Sequence, residues 1–253
     1  MRAPMRTSNP VFGNRFQRYA QPALPLEQAE VMTVEGTATK TGLLLFLVLI
    51  GALPSWYAFY ALVDLPLVFL LLLVGTIGGL VVALLTVFRP RWAAATAPAY
   101  AILEGLALGA LSAVFEYAYP GILFQAVALT FGVFALVLVL YQFRVLRATP
   151  RFVMGIVAAT LGIMFVYLIG IVLTLFGVPV FFFSDASPLS IGFSLFVVAI
   201  AALNFVLDFA FIEEGAAQRA PKHMEWYGAF GLLVTLVWLY VEILRLLGKL
   251  RSR

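Results

Sequence analysis

Apolar residues in this chain gather into long blocks separated by short polar breaks, and the block length is the first thing that speaks. Each runs for about 20 residues, the length a helix rising ~1.5 Å per residue needs to cross ~30 Å of hydrocarbon. Membrane-barrel strands would instead alternate polarity over ~10 residues, and no such segments occur. The blocks predict spans at about Thr41–Val63, Leu67–Phe88, Ala93–Phe115, Ile122–Tyr141, Phe152–Phe176, Leu189–Ile212 and Trp226–Leu247. The expected fold is therefore an all-α integral membrane protein, a bundle of about seven transmembrane helices over residues 41–253. Residues 1–40, with Pro10, Pro22, Pro25 and several Arg, read as a flexible N-terminal tail. A short surface helix is expected within it from Leu26 to Met32.

Composition supports this. Hydrophobic residues make up 64% of the chain and charged residues 11%, whereas a soluble domain carries roughly 25% charged residues. The absence of cysteine excludes disulfides and thiolate metal sites, and a single His argues against a zinc centre. No secretory signal is evident in the first forty residues. The basic pI reflects Arg and Lys at the rims of the blocks, which suits anionic lipid headgroups and topology rather than nucleic acid.

Those bases also orient the chain. They fall in the tail and in every second loop, at Arg89, Arg91, Arg144, Arg147, Arg151, Arg219 and Lys222, while the three intervening loops hold none. Excess positive charge marks cytoplasmic segments, so the N-terminus and the loops at 89–92, 142–151 and 213–225 are expected in the cytoplasm, with the protein in the cell's inner membrane. Seven crossings then place Arg245, Lys249, Arg251 and Arg253 outside, against the rule. Either the last block crosses despite its charges, or it re-enters without crossing. The first helices usually dominate orientation, which favours seven crossings.

Candidate chemistry resides in carboxylates inside apolar blocks: Glu104, Asp208 and Glu242. An ionised carboxylate at mid-bilayer costs ~2.5–3.5 kcal/mol on insertion scales, so each must face protein, pair or hold a proton. Burial and a neighbouring acid both favour the protonated form, which makes a buried carboxyl pair a plausible proton switch. Carboxylate oxygens are also ligands for Ca²⁺. Asn204, four residues before Asp208, marks a polar face on the same helix. Plainer roles stand beside these. Glu104, next to Gly105 and Gly109, suits a hydrogen bond at a close helix crossing. Asp208 is near enough to the interface to snorkel, and Glu242 has Arg245 at i+3 for a local ion pair. Trp56, Trp92, Trp226 and Tyr227 fit an interfacial aromatic belt, and His223 fits a solvated loop. No catalytic motif of a hydrolase, metalloprotease or nucleotide-binding enzyme is present, and neither an enzyme activity nor a cofactor is expected.

Several stretches resemble the Bax inhibitor-1 family, in its bacterial branch. They are Ala97-Pro98-Ala99-Tyr100-Ala101-Ile102-Leu103-Glu104-Gly105, Ile191-Gly192-Phe193-Ser194-Leu195-Phe196 continuing to Asn204-Phe205-Val206-Leu207-Asp208, Met224-Glu225-Trp226-Tyr227-Gly228-Ala229-Phe230-Gly231, and Trp238-Leu239-Tyr240-Val241-Glu242-Ile243-Leu244. The resemblance implies a seven-helix protein acting as a pH-sensitive calcium leak channel, with an acid on each of the sixth and seventh helices sharing a proton. Asp208 matches the first of these acids, although Phe209 and Ala210 stand where the family usually has Thr-Gln. Glu242 takes the position of the second. By this reading Asp208, Glu242 and Glu104 form the ion path or pH switch, and calcium is the ion to expect at Asp208 and Glu242. The two meet only if the seventh helix starts late or is broken near Gly228 and Gly231. The resemblance equally allows a regulatory protein that binds membrane partners such as a protease or translocon.

Overall fold

The structure is a computed structural model that describes residues 31–178, 180 and 186–252. It contains seven helices long and apolar enough to cross a membrane. They are α1 (Val34–Tyr60), α2 (Leu65–Phe88), α3 (Ala93–Ala118), α4 (Ile122–Gln142), α5 (Pro150–Leu175), α6 (Pro188–Ala217) and α7 (Met224–Arg251), with one 3₁₀ turn at Pro90–Trp92. Most of the expected tail, and the expected surface helix up to residue 30, lie outside the described residues; Val31 and Met32, its last two positions, are not helical.

Helix starts follow local chemistry. Asp64, Thr149 and Ser187 cap α2, α5 and α6 through their side chains, each with a proline in the first turn. Such caps satisfy amide groups that have no partner inside the helix. Between α3 and α4 the chain turns through Gly121 at φ 81°, a left-handed conformation that glycine adopts without strain. The Glu116 carboxylate accepts from Gly121 N at 2.6 Å and Leu123 N at 2.9 Å, so it serves as the cap that Gly121 cannot provide.

The first helix begins at Val34, ahead of the expected Thr41. Its polar opening stays helical because its hydroxyls are satisfied locally: Thr37 Oγ1 donates to Thr33 O, and Thr41 Oγ1 to Thr37 O, both at 2.9 Å. Residues 34–40 thus belong to the bundle and not to the tail. The sixth helix likewise continues past Ile212 to Ala217.

The seventh helix is the centre of the molecule. Of its most apolar window 61% is buried, against 17% for α2 and for α5. It packs against α6, α1, α4 and α3, while α2 lies outside α3 and α1, and α5 lies outside α6. Large side chains such as Phe69 and Ile77 on α2, and Phe165 and Leu168 on α5, face outward, as suits helices bordering lipid.

This arrangement also settles how far α7 travels. Its first turn meets the start of α1, where Glu225 binds Thr33. At the other end Arg251 donates to Tyr119 O at 3.3 Å and Pro120 O at 2.8 Å, in the α3–α4 turn. It therefore runs the full height of the bundle, and a re-entrant last segment does not describe it.

The tightest seams flank α3. A Cβ added to Gly105 would lie 2.4 Å from Val48 O, and one on Gly109 would lie 2.6 Å from Ala52 O, both on α1. On α2, a Cβ at Gly75 would meet Leu103 O and Ala107 N at 2.6 Å. Small residues let membrane helices approach to backbone contact, and here they join α1, α2 and α3. By contrast, Gly132, Gly155, Gly162 and Gly192 on α4 to α6 have nothing within 4 Å of such an atom.

Gly105→Ala is expected to destabilise the protein by about 1–3 kcal/mol, because only backbone stands in the way. Gly132→Ala should leave stability unchanged or raise it by up to ~1 kcal/mol. Thermal unfolding in detergent checks both, and equal effects at the two sites would refute this account of the α1–α3 seam.

Candidate functional site

Asp208 projects from α6 toward α7, into the bundle as expected. Thr235 Oγ1 donates to its Oδ2 at 2.7 Å. Space for the carboxylate comes from Gly231, where an added Cβ would stand 3.8 Å from Oδ1. The same Thr235 hydroxyl is 3.3 Å from Gly231 O, a second acceptor on its own helix. Asn204 does not join Asp208. Its amide donates to Thr160 Oγ1 on α5 at 3.0 Å and to Ile200 O at 2.8 Å. The two polar residues are four apart, but they serve different seams.

Glu242 is 1% exposed. Both of its oxygens lie 3.0 Å from the Tyr167 hydroxyl of α5, and Arg245 Nη1 is 3.3 Å from Oε1. The Arg245 guanidinium also lies over the Tyr167 ring, 5.6 Å from its centroid. Two turns on, the buried Lys249 ammonium donates to Ser194 Oγ of α6 at 2.8 Å. The i+3 ion pair legible in the sequence is thus present, inside a larger polar cluster that joins α5, α6 and α7.

Asp208 and Glu242 are not partners in this arrangement. Thr235, which binds Asp208, precedes Glu242 by seven residues on α7, a rise of ~10 Å. The helix runs from Met224 to Arg251 without a break at Gly228 or Gly231, so it neither starts late nor bends to bring the acids together. Glu104 occupies a third place, between α2 and α3. Its Oε2 lies 3.0 Å from where a Cβ on Gly79 of α2 would be. The three carboxylates therefore serve three seams: α2–α3, α6–α7 and α5–α7. Among the described residues no three His, Cys, Asp or Glu side chains cluster to hold a metal ion. Ca²⁺ takes six to eight oxygens, and Asp208 and Glu242 do not build such a cage between them.

A fourth acid was not legible. Glu225 lies in a polar stretch of the sequence, yet it is fully buried at the first turn of α7. Its Oε1 accepts from Thr33 N at 2.9 Å and Thr33 Oγ1 at 2.7 Å. Lys222 Nζ is 3.1 Å from the same oxygen, and Lys40 binds Oε2. Lys40 in turn sits 5.4 Å from the Trp226 ring centroid. Gly36 is what lets the carboxylate in, since a Cβ there would stand 2.2 Å from Oε1. Only the i,i+3 spacing of Lys222 and Glu225 signalled any of this, as Thr33 and Lys40 are remote in sequence. Nearby His223 is half-buried rather than solvated, and burial together with the Arg91 guanidinium holds its pKa below the ordinary imidazole value.

The protein thus has seven membrane-length helices, with acids inside the third, sixth and seventh and the seventh helix at the centre. The family model described as Bax inhibitor 1 like matches residues 9–252. The chain belongs to that family. No curated protein and no solved structure matches it. Membership extends the sequence resemblance across nearly the whole chain. In this Bax inhibitor 1 like protein the α6 acid is bound to a threonine hydroxyl, and the α7 acid to a tyrosine and an arginine.

Glu225→Gln should destabilise the fold by about 2–3 kcal/mol, less than a wholly buried pair because both lysines reach water. Tyr167→Phe should cost about 1–2 kcal/mol through the donor lost to a buried carboxylate. Unfolding temperatures in one detergent read both. A Glu225→Gln protein as stable as its parent would show that the buried carboxylate does not hold α1 to α7.

Proposed function

We propose that this Bax inhibitor 1 like protein is a proton-responsive cation leak pathway in the cell's inner membrane, with calcium as its cargo and Asp208 as the titrating group. The observation that supports it is the Asp208–Thr235 contact. A carboxylate that ties two helices through a neutral hydroxyl loses much of its pull once protonated, because hydrogen bonds to charged groups are the stronger ones. Thr235 has Gly231 O within reach as an alternative acceptor, so the tie can pass between two arrangements. Glu242 has a different part in this reading. With Arg245 and Tyr167 on its oxygens, it anchors α5 to α7. Glu104 packs against Gly79 where α2 meets α3. No catalytic step and no cofactor belong to this function.

In this reading the N-terminus and the loops containing Arg89, Arg144 and Arg219 face the cytoplasm, where excess positive charge collects. Lys249 and Arg245 then cross despite the rule because α7 is enclosed and both have partners within the bundle.

One observation favours a second reading, a regulator that binds membrane partners such as a protease or translocon. Asp208 and Glu242 each already have a hydrogen-bond partner inside the chain, which is also what a purely structural acid requires.

Calcium flux into liposomes at several pH values separates the two. The leak reading expects flux that changes with pH, and Asp208→Asn should flatten that dependence while Glu242→Gln mainly lowers stability. An Asp208→Asn protein with parental flux and parental pH response would remove Asp208 from the switch. Liposomes that hold their gradient at every pH would leave the regulatory reading. Reporter fusions in the Arg144–Arg151 loop test orientation, and activity on the outer side would reverse it.

A further inference from the structure

The segment that leads into α1 does more than start a helix. A helix N-cap requires only Thr33, whose hydroxyl accepts from Gly36 N at 3.0 Å. Yet the two residues before it are laced across the α6–α7 turn. Val31 pairs with Pro221 in an antiparallel bridge, and Met32 N donates to Ala220 O at 2.7 Å. Met32 is 1% exposed, although it belongs to no helix.

Its side chain fills a notch formed by two glycines. Met32 Sδ lies 2.8 Å from where a Cβ on Gly215 of α6 would be, and Cε lies 3.4 Å from the equivalent point on Gly228 of α7. Ile212 and Thr37 close the same layer, each 3.2 Å from that point on Gly228. One turn deeper on α6 is Asp208, and one turn deeper on α7 is Gly231, against which Asp208 rests. From the N-terminal end of the bundle inward, the order along this seam is Met32, then Ile212 with Thr37, then Asp208 with Thr235.

We propose that residues 31–33 form a removable strap, with the Met32 side chain as the stopper that keeps water at this end of the bundle away from Asp208. This deepens the leak reading by naming what controls access to its titrating group, but protection of Asp208 is measurable without any flux. The strap is suited to release. An unbranched thioether between two glycines leaves without distorting either helix. Glu225 holds Thr33, but it is also bound by Lys40 and Lys222, so release of Thr33 does not strand a buried charge.

The chain has no cysteine, so Gly231→Cys supplies a single thiol beside Asp208 at a position with room for it. With Met32 in place this thiol should react slowly with a water-soluble maleimide. Met32→Ala should speed labelling by about tenfold or more through local opening, whereas Met32→Leu, which keeps the bulk, should stay slow. Ala101→Cys, fully buried on α3, should remain protected throughout. Parental labelling rates in the Met32→Ala protein would overturn the strap, as would a Gly231→Cys thiol already reactive with Met32 present. Exposure of Ala101→Cys together with Gly231→Cys would overturn it too, since the opening would then be global. Unmasking of Gly231→Cys without calcium flux would uphold the strap and count against the leak reading.

Discussion

A helix carrying Glu225, Glu242, Arg245 and Lys249 can cross hydrocarbon only where other helices supply the partners that water would otherwise supply. The architecture follows from that requirement. The seventh helix takes the centre, and the residues that reach it come from several neighbours: Thr33 from the cap of α1, Lys40 from α1, Asp208 and Ser194 from α6, Tyr167 from α5. The helices without such groups, α2 and most of α5, are left to face outward. Polar satisfaction decides which helix is inside, and apolar packing then fills the space between.

Within that frame the bundle is unevenly joined. Around α3, helices meet at backbone distance, and no rearrangement is available there without a collision between main chains. On the other flank, α5 rests chiefly on α6 and is linked to its neighbours by single polar contacts, Thr160 to Asn204 and Tyr167 to Glu242. Directional bonds of that kind can be exchanged one at a time, whereas interlocked glycine surfaces cannot. Asp208 stands at the boundary between the two regimes.

The number of spans and most of their limits were legible because hydrocarbon thickness sets a length that composition reports directly. The start of α1 was not. Thr37 and Lys40 read as part of the polar tail, whereas a hydroxyl that folds back onto its own helix, and a lysine bound to Glu225, remove the conflict with helical structure. The buried acids were visible as costly residues in apolar surroundings, but their partners were not, because contacts such as Asp208 to Thr235 or Glu225 to Thr33 join segments with no local pattern in common. The proximity of Asp208 and Glu242 was the expectation that depended most on helix register. The unbroken run of α7 places Gly231 and Thr235 opposite Asp208, and carries Glu242 two turns beyond.

The central position of α7 has a consequence for biogenesis. It is made after the other six helices, so those helices must enter the membrane around a gap whose walls carry Tyr167, Ser194, Lys40 and Asp208 without their eventual partners. Nascent protein in that state presents unsatisfied polar groups along an open groove, the kind of surface that insertion chaperones and quality-control proteases meet. Arrival of the seventh helix closes the groove and satisfies those groups together. Assembly of this protein should therefore be late and cooperative, with the half-made bundle its most vulnerable form.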